Sequence, residues 1–236
     1  MEGSKLPRPY VVLSVAVSVD GYIDDTIPER LYLSNEADFD RVEVVRTECD
    51  AILIGAETLR RDNPRLIIKS PERLAARAAA GKPAHLQKIV VTGSGDLDPE
   101  ARFWHYGVGD RVPIVYTTDT GAEKLRDRLG DLAVVVSLGA AVDFGALLDD
   151  LGDRGIDRLM IEGGTSIHTA VLATGLADEL HLAVAPLLVG QADAPRFVNP
   201  AEFPGGSRRR MQLVEVSQIG DVALLRYFPK NDSEDI

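Results

Sequence analysis

DRLMIEGGTSIHTAVLATGLADELHLAVAPLLVG, residues 157–190, reads as strand, glycine turn, helix and strand in one short stretch. Arg158 to Ile161 supplies an apolar run, Glu162 closes it, and Gly163-Gly164 turns the chain. Thr165 and Ser166 then offer hydroxyls where a helix begins, and a second apolar run ends at Gly190. That order is one βαβ unit. The first amides of a helix have no partner inside it, glycine lets a ligand approach the backbone, and the helix dipole favours negative charge. Phosphate is therefore the expected guest of this turn. A bare Gly-Gly pair lacks the GxGxxG spacing and is more often a plain capped turn. Glu162 favours the ligand reading, because a carboxylate at the carboxyl end of an inner strand points into the crevice where open α/β sheets bind ligands.

Working outward, strands and helices alternate on the amino-terminal side. Tyr10 to Val19 and Ala51 to Gly55 are nearly continuous apolar runs, as in strands buried on both faces. Lys88 to Thr92, Pro113 to Thr117 and Ala133 to Ser137 follow as further strands. A helix capped by Ser34 or Asn35 runs to about Thr47, with Phe39, Val42, Val45 and Cys49 near one face. Thr58 and Asp62 stand one helical turn apart until Asn63-Pro64 stops that helix, and Asp62 could equally cap its end or pair with Arg60, Arg61 or Arg65. Ser70 to Gly81 is a short helix by its proline near the start and glycine at the end. Another helix lies near Gly121 to Leu129, and Asp143 caps one with Phe144, Leu147, Leu148 and Leu151 facing the core. Met211 to Ser217 and Val222 to Phe228 flank Gly220-Asp221 too closely for a crossover helix, so they form an antiparallel hairpin. The fold class is α/β, a mostly parallel sheet flanked by helices and ending in that hairpin. One domain is expected over 1–236, with a core of about 10–229 and short polar tails, the last of them, Asn231 to Ile236, expected to fray.

Composition narrows the function. The net charge of −11 argues against a nucleic-acid binder, and Arg208-Arg209-Arg210 is too short to reverse that. The single cysteine, Cys49, rules out an internal disulfide and a multi-cysteine zinc site, and is expected as a buried structural thiol. His85, His105, His168 and His181 show neither metal spacing nor a neighbouring nucleophile, so no metal is expected. The start of the chain carries no signal-peptide pattern and no run long enough to span a bilayer, which gives the expectation of a cytoplasmic protein. Turns at the carboxyl ends of parallel strands share one edge, so Asp20, Thr58, Asp62, Gly93, Ser94, Glu162 and the Gly163–Thr165 turn are expected around a single crevice. Asp20 is balanced between ligand contact and ordinary turn chemistry. Two phosphate-friendly turns with several carboxylates suit a dinucleotide and a polar heterocyclic substrate.

AVSVDG at 16–21, DAILIGAETLRRDNPRL at 50–66 and GIDRLMIEGGTSIHTAVLATGLADELHLAVAPLLVG at 155–190 together resemble the reductase domain of bacterial riboflavin biosynthesis, a branch of the dihydrofolate-reductase-like fold. The resemblance runs from about Val11 to Pro229. It implies NADPH-dependent reduction of a phosphoribosylamino-pyrimidine, hydride going to ribose C1′; a carboxylate near the nitrogen that becomes positive in that step would stabilise it, which makes Asp62 the catalytic candidate. On the cofactor side it implies Ala16, Tyr32, Thr58, Asp62, Gly93 and Ser94, and, for the pyrophosphate, Gly163, Gly164, Thr165, Ser166 and Ile167. On the substrate side it implies Glu162 against the pyrimidine, Leu66 beside it, and Arg30, Arg46 and Lys69 at phosphate positions. A zinc deaminase domain of the kind many relatives carry needs thiolates that this chain lacks, so it resembles the stand-alone reductases. Two departures stand out: Asn63 replaces a second aspartate, and 22–33 lacks the usual glycine-serine-tryptophan segment, leaving Arg30 and Tyr32 in its place. The resemblance also implies a homodimer built through residues 211–228. A same-fold reductase of another pterin, pyrimidine or secondary metabolite remains an alternative, as does a nicotinamide-nucleotide-binding protein without catalysis.

Overall fold

A computed structural model describes residues 7–109 and 111–230. In chain order the elements are β1 (Tyr10–Ser18), α1 (Glu36–Glu48), β2 (Ala51–Gly55), α2 (Ala56–Asp62), α3 (Pro71–Ala79), β3 (Gln87–Thr92), α4 (Arg102–His105), β4 (Ile114–Thr117), α5 (Asp119–Leu129), β5 (Val134–Ser137), α6 (Phe144–Asp153), β6 (Arg158–Gly163), α7 (Thr165–Ala173), β7 (Glu179–Ala185), β8 (Gln212–Ile219) and β9 (Val222–Phe228). The fold is α/β with mostly parallel strands and a C-terminal antiparallel hairpin. The described residues divide into two compact units, one built from the chain up to Tyr10 with Glu43–Met160, the other from Val11–Val42 with the chain from Ile161 onward. Among the described residues no helix is long and apolar enough to cross a membrane. The tail expected to fray, Asn231 to Ile236, lies outside the described residues.

In the first unit β5, β4, β3 and β2 lie in that order, all parallel. Ile54, Val90, Val115 and Val135 form one cross-strand row, which is how the valine and isoleucine runs become a core. β2 and β3 are buried along their whole length, the condition of parallel strands covered on both faces. Helix starts follow their caps: Ser70 accepts from Arg73 N, Thr118 from Gly121 N and Asp143 from Ala146 N. Leu147, Leu148 and Leu151 are buried on α6 as the pattern requires, and Phe144 only in part. α4 was not foreseen, because four residues carry no periodicity. Tertiary contacts fix it instead: buried Lys88 donates to Phe103 O at 3.0 Å and to Tyr106 O, and Asn63 Oδ1 accepts from Arg102 N at 2.7 Å. Burial pushes the Lys88 ammonium down to about 8. Cys49 is a buried thiol, as expected, and burial pushes its pKa up to about 12.

In the second unit the strand order is β1-β7-β9-β8, with β1 parallel to β7 and the other two pairings antiparallel. Gly220, at φ +63, makes the hairpin turn, and Asn35 Nδ2 donates to Ile219 O and to Asp221 Oδ1, both at 2.7 Å. The same side chain caps α1 through Asp38 N at 2.8 Å. The expected face of α1 needs correction at its first half: Phe39 is exposed, while Asp38 is buried with Arg41 Nε 2.7 Å away. Val45 and Cys49 are buried as expected.

Candidate functional site

The turn between β6 and α7 differs from its expected form in two ways. β6 continues through Glu162 to Gly163, so Glu162 lies within the strand rather than closing it, and Gly163 has φ 148, a backbone region open to glycine. The Gly163–Gly164 peptide is cis. Gly164, not Thr165 or Ser166, is the N-cap, and no side chain caps the helix. The Thr165 hydroxyl instead donates to Arg196 O at 2.5 Å, and Thr169 Oγ1 accepts from Asn199 N at 2.9 Å. α1, α3, α5 and α6 all receive a side-chain oxygen at their first turn. α7, like α2, receives no side-chain cap; its Ile167 N–H donates to Gly164 O at 3.0 Å, Ser166 is exposed and Ile167 is buried behind it.

Other candidates of the second unit fall around β1 and its following loop. Ala16 pairs with Ala183, and this small-residue pair packs against Val222 and Leu224. Asp20 bonds both within its own turn and to a distant segment. Its carboxylate accepts from Ser18 Oγ at 2.6 Å, Val189 N at 3.1 Å and Gly190 N at 2.7 Å, and the Ser18 hydroxyl above all holds it below the usual carboxylate range. Arg30 sits over the exposed Tyr32 ring at 5.5 Å, so these two loop residues contact each other. Arg196 was missed by the sequence reading. Its guanidinium lies 4.4 Å from the Tyr22 ring centroid and donates to Tyr22 Oη at 2.7 Å, and its carbonyl holds Thr165. A single arginine in an irregular loop carries no sequence signal of that placement. His181 Nε2 lies 2.8 Å from Glu179 and its Nδ1 3.3 Å from Arg41, a structural role.

In the first unit Thr58 and Asp62 lie on α2 one turn apart, both partly buried. Asn63, at φ 42, ends the helix, so this departure from the family pattern places a residue tolerant of left-handed backbone where one is needed. Gly93 and Ser94 form an exposed loop after β3. Thr118 Oγ1 donates to Gly93 O at 2.8 Å, and a Cβ on Gly95 would meet Gly121 O at 2.7 Å, so the first turn of α5 backs the loop directly. Three cations reach the loop: Arg60 Nη1 donates to Asp96 O at 2.8 Å, Lys124 Nζ to Ser94 O at 3.3 Å, and Arg128 Nη1 lies 3.7 Å from Asp96 Oδ1. Arg60 thereby joins the helix of Thr58 and Asp62 to the loop of Gly93 and Ser94. Arg46, Leu66 and Lys69 also come together, since Arg46 Nη1 donates to Ile67 O at 3.4 Å, between the other two.

The two units thus carry an uncapped helix start beside a carboxylate, and a glycine loop ringed by cations beside another carboxylate. Both are anion-binding chemistry. The profile of the RibD C-terminal domain family matches residues 9–225. A protein of Archaeoglobus fulgidus named 2,5-diamino-6-ribosylamino-4(3H)-pyrimidinone 5′-phosphate reductase is 30% identical over 214 residues, 91% of this chain and 95% of its own length. Its namesake from Methanothermobacter thermautotrophicus is 34% identical over 194 residues, 81% of this chain and 84% of its own. The structure of Acinetobacter baumannii RibD, form 1, superposes with a TM-score of 0.77 at 25% identity, covering 95% of this chain and 59% of that longer one. The chain belongs to the RibD C-terminal domain family, the reductases of riboflavin biosynthesis.

Proposed function

We propose that this oxidoreductase uses NADPH to reduce a phosphoribosylamino-pyrimidine of riboflavin biosynthesis to its ribitylamino form. The observation that carries the reading is the uncapped start of α7 between Gly164 and Ile167, preceded by Glu162. Free N–H groups at a helix start bind a pyrophosphate through hydrogen bonds and dipole together. NADPH rather than NADH is supported by Arg60, Lys124 and Arg128 around the Gly93–Asp96 loop, where a 2′-phosphate would find three cations, two of them facing the carboxylates of Glu57 and Asp96. The names of the two archaeal relatives favour the 2,5-diamino-pyrimidinone over its deaminated uracil counterpart.

In the second unit, Gly163 to Ile167 take the pyrophosphate, Ala16 offers a small surface to the cofactor, Tyr32 covers the nicotinamide, Arg30 reaches a phosphate and Glu162 accepts pyrimidine N–H groups. In the first unit, Thr58 and Asp62 hold the cofactor, Gly93 and Ser94 meet the adenosine ribose, Leu66 packs on the pyrimidine, and Arg46 and Lys69 take the substrate phosphate. A bound nicotinamide supplies a hydride. The opened ribosylamine presents an imine whose nitrogen is positive while C1′ is reduced, and Asp62 stabilises that charge electrostatically.

The span of the family match, 9–225, supports one reductase domain with its core at about 10–229. A homodimer through the hairpin is supported by the exposed Leu213, Val214 and Val216 on β8, apolar surface at a sheet edge. The deciding experiment mixes the protein with NADPH and each of the two phosphoribosylamino-pyrimidines and follows loss of reduced-nicotinamide absorbance. Turnover with the diamino compound is the expected result. Nucleotide binding without turnover of either pyrimidine would sink the proposal.

A further inference from the structure

We propose that Glu43, which no sequence motif singles out, is a positioning residue that holds the segment Leu66–Ser70 in the form that receives the phosphorylated substrate; the inference rests on the function proposed above. Residues 63–70 have no regular secondary structure, so their backbone groups need partners other than a sheet ladder. α1 supplies them from one face. Glu43 Oε1 accepts from Lys69 N at 3.0 Å and from Ser70 N at 2.7 Å, and Arg46, three residues on, donates to Ile67 O. The same carboxylate oxygen lies 3.5 Å from Arg73 Nη1. Ser70, once fixed, caps α3 through Arg73 N.

A second observation comes from the backbone. Leu66 has φ 48, and the left-handed region is strained for a leucine. Such a conformation persists where the surroundings over-determine it. Buried Leu66 and Ile68 anchor the segment from below, and the bonds from Glu43 and Arg46 fix it from the side. Lys69 is left exposed, its N–H tied down and its side chain outward of the anchored backbone. A carboxylate beside a phosphate position would ordinarily repel it. Here desolvation opposes the charge, but the Ser70 and Lys69 N–H groups with Arg73 outweigh it and hold Glu43 below the usual carboxylate range, so its charge is spent on the backbone and Arg73. Glu43 thus acts through Lys69 and Leu66 without touching substrate.

The test uses the full chain and two substrates, the phosphoribosylamino-pyrimidine and its dephosphorylated nucleoside, with thermal melting as a control. Glu43→Ala is expected to raise KM for the phosphorylated substrate about tenfold, with kcat and the KM for NADPH within about twofold of wild type. The nucleoside should show no comparable change. Glu43→Gln keeps an oxygen that accepts both N–H groups and should restore most of the loss. If Glu43→Ala does not fold, Glu43→Asp keeps the charge but falls one methylene short, and should raise the same KM about threefold. Unmoved KM values in these variants, or equal losses on both substrates, overturn the positioning role while wild-type turnover leaves the function standing. A wild type that reduces neither substrate overturns the function itself and the positioning role with it.

Discussion

Leu224 and Leu225 are neighbours in sequence and stand on opposite faces of the C-terminal hairpin. Leu224 pairs with Ala183 and is 4% exposed, whereas Leu225 pairs with Leu182 and with Val216, which is 63% exposed. Only the second face is open to a partner.

The dimer prediction follows from that division. Val216→Lys combined with Leu225→Lys places two charges on the open face and should leave a folded monomer at micromolar concentration by light scattering. Leu224→Asp puts an unpaired carboxylate into the core beside Val222 and Ala183, and should cost about 3–5 kcal/mol of stability instead. Within the stretch 211–228 expected at the interface, Val222 and Leu224 are thus core residues. A dimer that survives the double lysine substitution would remove the hairpin face from the interface.

The reason the sequence could not make this distinction is visible in VALLRYF itself. A strand with no polar alternation does not say which face is inside. Its one charged residue, Arg226, even points the wrong way, since it lies on the Leu224 side, paired with Glu215 Oε2 at 2.6 Å and with buried Glu179. Only long-range pairing reveals that. Ala51 to Gly55, by contrast, was legible to the residue because a short run buried on both faces needs no face assignment. In the candidate site, the α7 turn was readable from its glycines, while Glu43 and Arg196 were not, because their partners lie far away in sequence: the Lys69 and Ser70 N–H groups for Glu43, the Tyr22 and Thr165 side chains for Arg196.

Cofactor selectivity should reside in the loop after β3. Lys124→Ala removes a cation that now spends one bond on Ser94 O, and a charged hydrogen bond to phosphate is worth about 1.5–3 kcal/mol. NADPH should therefore bind about tenfold more weakly, with NADH affinity unchanged, in titrations of both nucleotides. A parallel loss for NADH would show that Lys124 supports the loop without reading the 2′-phosphate.

The two glycines before α7 should respond differently to substitution. Gly164, at φ −101, has a backbone that any residue adopts, so Gly164→Val should fold and melt near wild type while losing most NADPH affinity by crowding the helix start. Gly163, at φ 148, does not tolerate a side chain, and Gly163→Ala should cost about 1–3 kcal/mol. Equal melting temperatures for the two variants would contradict this assignment, and unchanged nucleotide affinity in Gly164→Val would remove the pyrophosphate from the turn.

His168 gives the pH-dependent prediction. It is fully buried on α7, its ring 5.4 Å from that of Phe197, and neither ring nitrogen has a hydrogen-bond partner. Burial alone pushes its pKa down from 6.5 to about 4, so the folded chain keeps it neutral where the unfolded chain binds a proton. Stability from this residue is therefore fully present above about 6.5 and is lost as pH falls from about 6.5 to about 4, by at most roughly 3 kcal/mol. His168→Leu removes both the titration and an imidazole N–H without a partner. At pH 7.5 the variant should be as stable as wild type or more so by about 1 kcal/mol, since an unpaired buried donor is costly. Between pH 6.5 and pH 5 the wild type should lose stability faster than the variant in urea denaturation, and the gap between them should widen as pH falls. Parallel curves for the two proteins across that window would mean that His168 is solvated or paired in solution, and the prediction would fail.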